Sequence, residues 1–353
     1  MKALIAMSGG VDSSVAAYLM KEKGYDCIGC TMRLYDGDSE AESGGSSCCS
    51  LSDVENARSI AFKLGMPYYV FNFTEDFGKC VIDKFIGGYE RGITPNPCID
   101  CNRYMKFSGL YERAKILGCD VIVTGHYARI EKENDKYILK KAVDGSKDQS
   151  YVLYFLTQEQ LAHTVFPLGE MNKTQTRETA GKNGFINASK PDSQDICFVP
   201  DGDYVSFMER YCGKVYEPGN YIDSEGNIIG RHRGYVHYTI GQRKGLGVAF
   251  GEPRFVSRID PVNNTVTLVK NEELFENTVK VKEINWISGE TPAEEFRCTA
   301  KVRYRHRDEP CTVYPDGDGA VIIFDSPVRA VTPGQAAVMY DGDRVIGGGV
   351  IVK

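Results

Sequence analysis

The chain opens on Lys2–Ala6, "KALIA", a run too short for a helix and apolar enough for a strand buried on both faces. Apolar spacing in "VDSSVAAYLMKEKG" then predicts a helix that begins near Asp12 and ends at Gly24. "YDCIGCTM" reads as a second buried strand, and the polar stretch from Asp36 to Ser50 as a mobile loop. Helical periodicity returns in "LSDVENARSIAFKLG", with Ser52 as N-cap and Gly65 as the stop. "YYVFNF" is strand-like, Thr74 to Glu90 helix-like, "YMKFSGLYERAKILG" helical and "CDVIVTG" a further buried strand. Strands alternating with helices over about 125 residues predict a parallel sheet covered on both faces.

After Tyr204 the pattern changes. Helical spacing fades around Gly213, and glycine and turn signals become dense. From about Val279 short alternating runs recur: "KVKEINWI", "RCTAKVRYR", "CTVYP", "AVIIFD", "AAVMY" and "DRVIGGGVIV". They predict a small antiparallel barrel or sandwich, of which the barrel is the expectation. Three units follow: an α/β domain over 1–205, a glycine-rich connector domain over 206–275 and a β domain over 276–353.

Composition narrows the setting. Hydrophobic residues at 42% and charged residues at 25% suffice for a real core. No apolar run approaches the roughly 20 residues of a membrane helix. An unbroken run of only five apolar residues, Ala3 to Met7, precedes the first glycines, too few for a signal peptide. The expected location is therefore the cytoplasm, with no membrane partner. A reducing compartment disfavours structural disulfides, so most of the twelve cysteines are expected as small buried residues. A net charge of −6 gives no general pull toward nucleic acid, and an RNA surface would have to come from local basic patches.

The first chemical signal is "MSGGVDSS", between the opening strand and its helix. Ser8, Gly9 and Gly10 would present successive backbone N–H groups, and the helix N-terminus adds partial positive charge, a combination suited to phosphate. Asp12 could orient the loop or help hold magnesium, and Ser13 and Ser14 add hydroxyls. A Walker A loop would need a lysine after its second glycine, where this chain has Val11 and Asp12. The run resembles the pyrophosphatase-loop ATPases. That resemblance implies adenylation of an oxygen with release of pyrophosphate, so that nitrogen or sulfur can replace it.

Two C-x-x-C pairs raise the question of zinc. Cys27 and Cys30 lie in a predicted strand, where residues three apart point to opposite faces, so both read as core. Cys98 and Cys101 sit in "ITPNPCIDCN". Pro95 and Pro97 are expected to keep that segment out of a helix until "CNRYMKF" begins one. A turn entering a helix can converge two thiols and lower their pKa. Cys197 lies in "PDSQDICFV" near the predicted boundary, and Cys48 and Cys49 lie in the polar loop. Cys80, Cys119, Cys212, Cys298 and Cys311 read as packing residues.

The order of "MSGGVDSS", "TPNPCIDCN", "TGHYARI", "KDQSYVLY", "QDICFV", "YTIGQRKGLG", "VRYRHR" and "VTPGQAAV" resembles the bacterial tRNA-specific 2-thiouridylases from end to end. The resemblance implies a pyrophosphatase-loop (HUP-like) domain and an enzyme that replaces the C2 oxygen of the wobble uridine with sulfur in tRNAs for lysine, glutamate and glutamine. It implies ATP and Mg2+, and sulfur charged as a persulfide by a cysteine desulfurase or a relay protein. ATP would lie against Ala6, Met7, Ser8, Gly9, Gly10, Val11, Asp12 and Ser13, with Met32 and Gly125. Asn96, Pro97 and Cys98 would face the target base. Cys101 matches the nucleophile and Cys197 the persulfide carrier, a pairing that implies a catalytic Cys101–Cys197 disulfide. His126, Lys147, Asp148, Gln149, Arg303, Tyr304 and Gln335 match tRNA-contacting positions. Many relatives carry aspartate, a candidate acid–base group, at the position of Cys98. An alternative therefore makes Cys98, Cys101 and Cys197 ligands of a [4Fe-4S] cluster that binds the sulfide.

Read as a strand, "KVRYRHR" puts Lys301, Arg303, Arg305 and Arg307 on one face, a row able to follow phosphates. Arg231, Arg233, Arg243 and Lys244 add a second patch among aromatics and glycines. His126 and His237 could each be satisfied core histidines, the preferred reading for His237. Two other functions compete: a nitrogen-inserting ATP-dependent ligase, and a zinc-stabilised RNA-binding module.

Overall fold

The computed structural model describes residues 1–35, 51–192, 196–248 and 251–353. The predicted loop from Asp36 to Ser50, with Cys48 and Cys49, lies outside the described residues.

Seven strands arise in the first domain: β1 (Lys2–Ala6), β2 (Asp26–Arg33), β3 (Tyr68–Asn72), β4 (Val121–Val123), the hairpin β5 (Ala128–Glu133) and β6 (Lys136–Lys141), and β7 (Thr164–Val165). Five of them form an all-parallel sheet in the order β3-β2-β1-β4-β7. The opening run behaves as its continuity predicts. Leu4 packs into a core on one face, while Ala3 and Ile5 pack into a core on the other. On that second face α1 (Val11–Glu22) buries Val15, Ala16 and Met20 beside Ala57, Ile60 and Ala61 of α2 (Leu51–Lys63). Strand order reverses direction between β1 and β4, the position where open α/β sheets bind ligands.

Two predicted boundaries need correction. Helix α2 starts at Leu51, so Ser52 lies inside its first turn. The segment after Pro95 is helical from Pro97, continuing through a π-helical stretch at Cys101–Gly109 to Ile116. Proline lacks only an N–H that the first helical position leaves unbonded, and Asn96 caps the helix by accepting from the Cys98 N–H at 3.2 Å. Cys98 and Cys101 are thus one turn apart on a helix.

The central unit is a four-stranded sheet, β8 (Gly219–Ile222), β9 (Ile228–His232), β10 (Phe255–Asp260) and β11 (Thr265–Val269), ordered β10-β11-β8-β9. Its small core includes Tyr221, Tyr238, Val256 and Leu268. The last unit comprises β12 (Phe275–Trp286), β13 (Phe296–Lys301), β14 (Glu309–Asp316), β15 (Gly319–Arg329), β16 (Ala336–Asp341) and β17 (Arg344–Val352). Strand β12 pairs with both β15 and β17, which closes a six-stranded antiparallel barrel. Closure leaves the barrel itself without a free edge.

The units are joined by a shared core. The β5–β6 hairpin leaves the parallel sheet and pairs with β17 at Lys140 and Arg344. Leu4, Phe107 and Tyr151 of the first domain pack in one cluster with Ala336, Val338 and Tyr340 of the barrel. No helix among the described residues is long and apolar enough to cross a membrane.

Candidate active site

The loop after β1 is held from every side. Gly9 has φ +74°, and a Cβ there would lie 2.4 Å from the Asp53 carbonyl oxygen, so only glycine fits without moving α2. Gly125, just beyond β4, would carry a Cβ 2.8 Å from the Ser13 nitrogen. Its missing side chain lets the β4 end close on the first turn of α1. The Ser13 hydroxyl donates to the Gly10 carbonyl at 3.0 Å and accepts from the Ser8 N–H at 3.2 Å. Asn187 donates to both the Gly9 carbonyl and the Ser14 hydroxyl at 2.9 Å. Gly10 itself caps α1 without a side-chain bond, leaving the helix N-terminus open to an anion.

A charged network stands beside this loop. Lys173 reaches both Asp12 carboxylate oxygens, at 2.7 and 2.8 Å, and the Tyr127 hydroxyl donates to Asp12 at 2.8 Å. Asp192 gathers Lys173 and Lys147 at 2.8 Å and Arg177 at 3.0 Å. Burial pushes the Asp192 carboxyl up, but hydrogen bonds and charge from Lys147 and Lys173 outweigh it and hold the group down at about 2. Asp144 joins the same network, accepting from the Lys173 N–H at 3.2 Å, so Lys147, Lys173 and Arg177 are set among three carboxylates. Sequence reasoning missed Lys173, Arg177 and Asp192, which nothing in their local spacing joins to the loop. Arg177 also bonds the Ala188 and Lys190 carbonyls at 3.0 Å, and Lys190 pairs with Asp53. The segment leading toward Cys197 is thereby tied to the glycine loop after β1.

The cysteine end is built from the first domain and the barrel. Cys101 and Cys197, 96 positions apart in the sequence, both pack, partly buried, against one aromatic cluster containing Phe77, Phe85 and Phe198. The "TPNP" turn beside them is held by the barrel. Gln335 donates to the Thr94 and Pro95 carbonyls at 2.8 and 3.3 Å, and the Thr94 N–H donates to the Pro333 carbonyl at 2.9 Å. Cys98 is exposed at the helix start, close enough to Tyr304 to help raise its phenol after burial and Asp148. Between the two cysteines, burial pushes the Asp100 carboxyl up to about 6 despite Lys84 3.8 Å away and Arg103 nearby. Its place in the motif was visible, but its burial was not.

A family profile described as the tRNA methyl transferase HUP domain matches residues 1–201. Companion profiles, a PRC-barrel domain and an aminomethyltransferase beta-barrel domain, match 205–270 and 276–351. The tRNA-specific 2-thiouridylase MnmA of Clostridioides difficile is 52% identical over 100% of this chain and 98% of its own length. That of Acetivibrio thermocellus is 50% identical over 99% of both chains. The chain belongs to the tRNA-specific 2-thiouridylase family. Among solved structures, a 4-thiouridine synthetase–RNA complex with bound ATP is 19% identical over 59% of this chain and 50% of that one, at a TM-score of 0.35.

Within this thiouridylase fold the remaining expected residues fall into two groups. Ala6, Met7, Ser8, Gly9, Gly10, Val11, Asp12 and Ser13 form the β1 end, its loop and the first turn of α1, Met32 lies near the end of β2, and Gly125 closes on the loop. His126 is buried, 2.7 Å from the Thr124 hydroxyl, and burial followed by the Lys106 charge holds its ring well below the usual histidine range. Asp148 is also buried, accepting from the Ala142 and Ser150 N–H groups at 3.1 Å, while Gln149 accepts from the Tyr127 N–H at 2.9 Å. Lys147 is half-exposed in its pair with Asp192. His237 is half-buried rather than fully in a core.

The predicted strand "KVRYRHR" is corrected. Strand β13 ends at Lys301, and residues 302–308 form a turn, so the four cations share no strand face. The Val302 side chain is buried, and Arg303 turns inward to donate to the Ile240 and Ala330 carbonyls at 2.8 and 2.9 Å. Tyr304, Arg305 and Arg307 remain exposed, as do Arg231, Arg233, Arg243 and Lys244.

The strand reading of Cys27 and Cys30 holds: both are buried, in cores on opposite faces of the sheet. The three cysteines considered for a [4Fe-4S] cluster lie in different surroundings. Among the described residues no three His, Cys, Asp or Glu side chains gather as a metal site. Cys98 is exposed, whereas Cys101 and Cys197 lie against the aromatic cluster.

Proposed function

We propose that the chain is an ATP-dependent tRNA sulfurtransferase that thiolates C2 of the wobble uridine in tRNAs for lysine, glutamate and glutamine. The observation that carries this reading is the packing of both Cys101 and Cys197 against one aromatic cluster, with the segment leading to Cys197 bonded to the glycine loop after β1. The names of the full-length relatives support it; the methyl-transfer wording of the profile has no counterpart in a site built around thiols and a phosphate loop.

In this reading the loop from Ala6 to Ser13, with Met32 and Gly125, receives ATP. Asp12 is the carboxylate that would meet magnesium carried on the phosphates, and Lys173, Lys147 and Arg177 offset the charge of departing pyrophosphate. The uridine leaves its stack to reach the site beside Asn96, Pro97 and Cys98, with Tyr304 exposed beside it as a stacking surface. Its O2 attacks the α-phosphorus, and pyrophosphate leaves. The terminal sulfur of a Cys197 persulfide then attacks C2, and AMP leaves with the former oxygen. Attack of the Cys101 thiolate on Cys197 Sγ breaks the persulfide bond, leaving sulfur on the base and a Cys101–Cys197 disulfide. A thiol reductant reopens that disulfide, and a cysteine desulfurase or relay protein recharges Cys197.

His126, Lys147, Asp148, Gln149, Arg303 and Gln335 are proposed to shape the tRNA surface, with Tyr304, Arg305 and Arg307 as its exposed contacts. Residues 1–205, 206–275 and 276–353 are proposed as the catalytic, connector and tRNA-binding units. The test incubates the protein with ATP, magnesium, a persulfide source and unmodified lysine tRNA. 2-Thiouridine and AMP are expected in equal amounts; neither product, with an active sulfur-donor control, contradicts the proposal.

A further inference from the structure

Cys298 on β13 and Cys311 on β14 stand directly opposite each other in the antiparallel register, with their sulfurs 3.6 Å apart. Both belong to the barrel core, Cys311 fully buried and Cys298 partly accessible. Directly opposed antiparallel residues have Cα atoms about 4.5–5.5 Å apart, within the span a disulfide bridges. The same two strands enclose residues 302–308, the turn that carries Arg303, Tyr304, Arg305 and Arg307. Only two register pairs, Thr299 with Pro310 and Ala300 with Glu309, separate the thiols from its mouth. Neighbouring Arg297 braces the strands by bonding Thr312 at 3.0 Å and Asp325 at 2.7 and 2.5 Å.

We propose that Cys298 and Cys311 form an oxidisable dithiol, a modification site that reacts with low-molecular-weight disulfides and, once bridged, pins the mouth of the 302–308 turn. Partly accessible Cys298 is the sulfur an incoming disulfide can reach. Its thiolate attacks one sulfur, the incoming S–S bond breaks, and the first small thiolate leaves. Buried Cys311 then attacks Cys298 Sγ in the mixed disulfide, expelling the second. The two cysteines lose two electrons and two protons, and the small disulfide is reduced to two thiols.

The experiment exposes the reduced full-length chain to glutathione disulfide, quenches by alkylation and maps peptides without reduction. A Cys298–Cys311 cross-linked peptide that disappears with dithiothreitol is expected. In the Cys311→Ser variant Cys298 should stop at the glutathione adduct, and in Cys298→Ser the buried Cys311 should stay a thiol. Hydrogen exchange on the oxidised, unaltered chain should show slower amide exchange across residues 302–308. The proposal is overturned if both cysteines remain thiols after exposed Cys98 is fully modified, or if Cys298 stops at the glutathione adduct in the unaltered chain. Unchanged exchange in the bridged protein overturns the claim that the bond pins the turn.

Discussion

The phosphate loop and the cysteine site are built by opposite strategies. The loop is nearly contiguous, Ala6 to Ser14, and its geometry follows from a short strand, two glycines and a helix start. The cysteine site draws Thr94 to Cys101 and Cys197 from the first domain, and Tyr304 and Pro333 to Gln335 from the barrel. A contiguous site can be preformed by one βα unit, whereas a dispersed one is only as precise as the contacts that join its domains. The segment from Asn187 to Asp192 connects the two, bonding the loop on one side and leading to Cys197 on the other.

The comparison breaks most sharply at the thiols. Cys101→Ser or Cys197→Ser is expected to lower 2-thiouridine formation by roughly a thousandfold or more, while tRNA-dependent ATP–pyrophosphate exchange continues. Thiolation that survives both changes would contradict the persulfide route through these two thiols. The reciprocal change is Gly9→Ala, which meets both a positive φ and the Asp53 carbonyl. A loss of about 2–4 kcal/mol in ATP binding or stability is expected, read by calorimetry. Cys197 should still accept sulfur from a persulfide donor.

Asp100 sharpens the picture of the cysteine end through pH. The folded chain holds its proton to about pH 6, while the unfolded chain releases it near about pH 4. The folded state therefore binds more protons between those values, and stability falls as pH rises through them. Asp100→Asn should remove that loss, gaining about 1–3 kcal/mol at pH 7 in denaturant melts and nothing near about pH 4. The smallest effect is expected at the domain joint. Gln335→Ala removes two hydrogen bonds to the "TPNP" turn, worth about 1–2 kcal/mol. It should raise KM for tRNA and leave KM for ATP unchanged.

What was legible in the sequence follows the same division. The parallel sheet, the glycine loop and the opposed faces of Cys27 and Cys30 rest on local periodicity, and the structure agrees. The barrel strands were visible in their alternation, which left barrel and sandwich open; the expected barrel is closed by the long-range pairing of β12 with both β15 and β17. The hairpin at Ala128–Lys141 escaped for a related reason: it leaves the parallel sheet to extend the barrel. Pro97 misled because proline both excludes helix interiors and suits helix starts, and the Asn96 cap decides between them. "KVRYRHR" alternates like a strand, yet Arg303 finds its partners in Ile240 and Ala330 instead. Lys173, Arg177 and Asp192 join the phosphate end only through folding.

The pairing of Cys101 with Cys197 is tested most directly by one turnover under quench. The chain is loaded with a persulfide on Cys197, mixed with ATP, magnesium and lysine tRNA, trapped with an alkylating agent and mapped without reduction. A Cys101–Cys197 disulfide that accumulates in step with 2-thiouridine is the predicted result. Formation of 2-thiouridine with both cysteines recovered as alkylated thiols would contradict it.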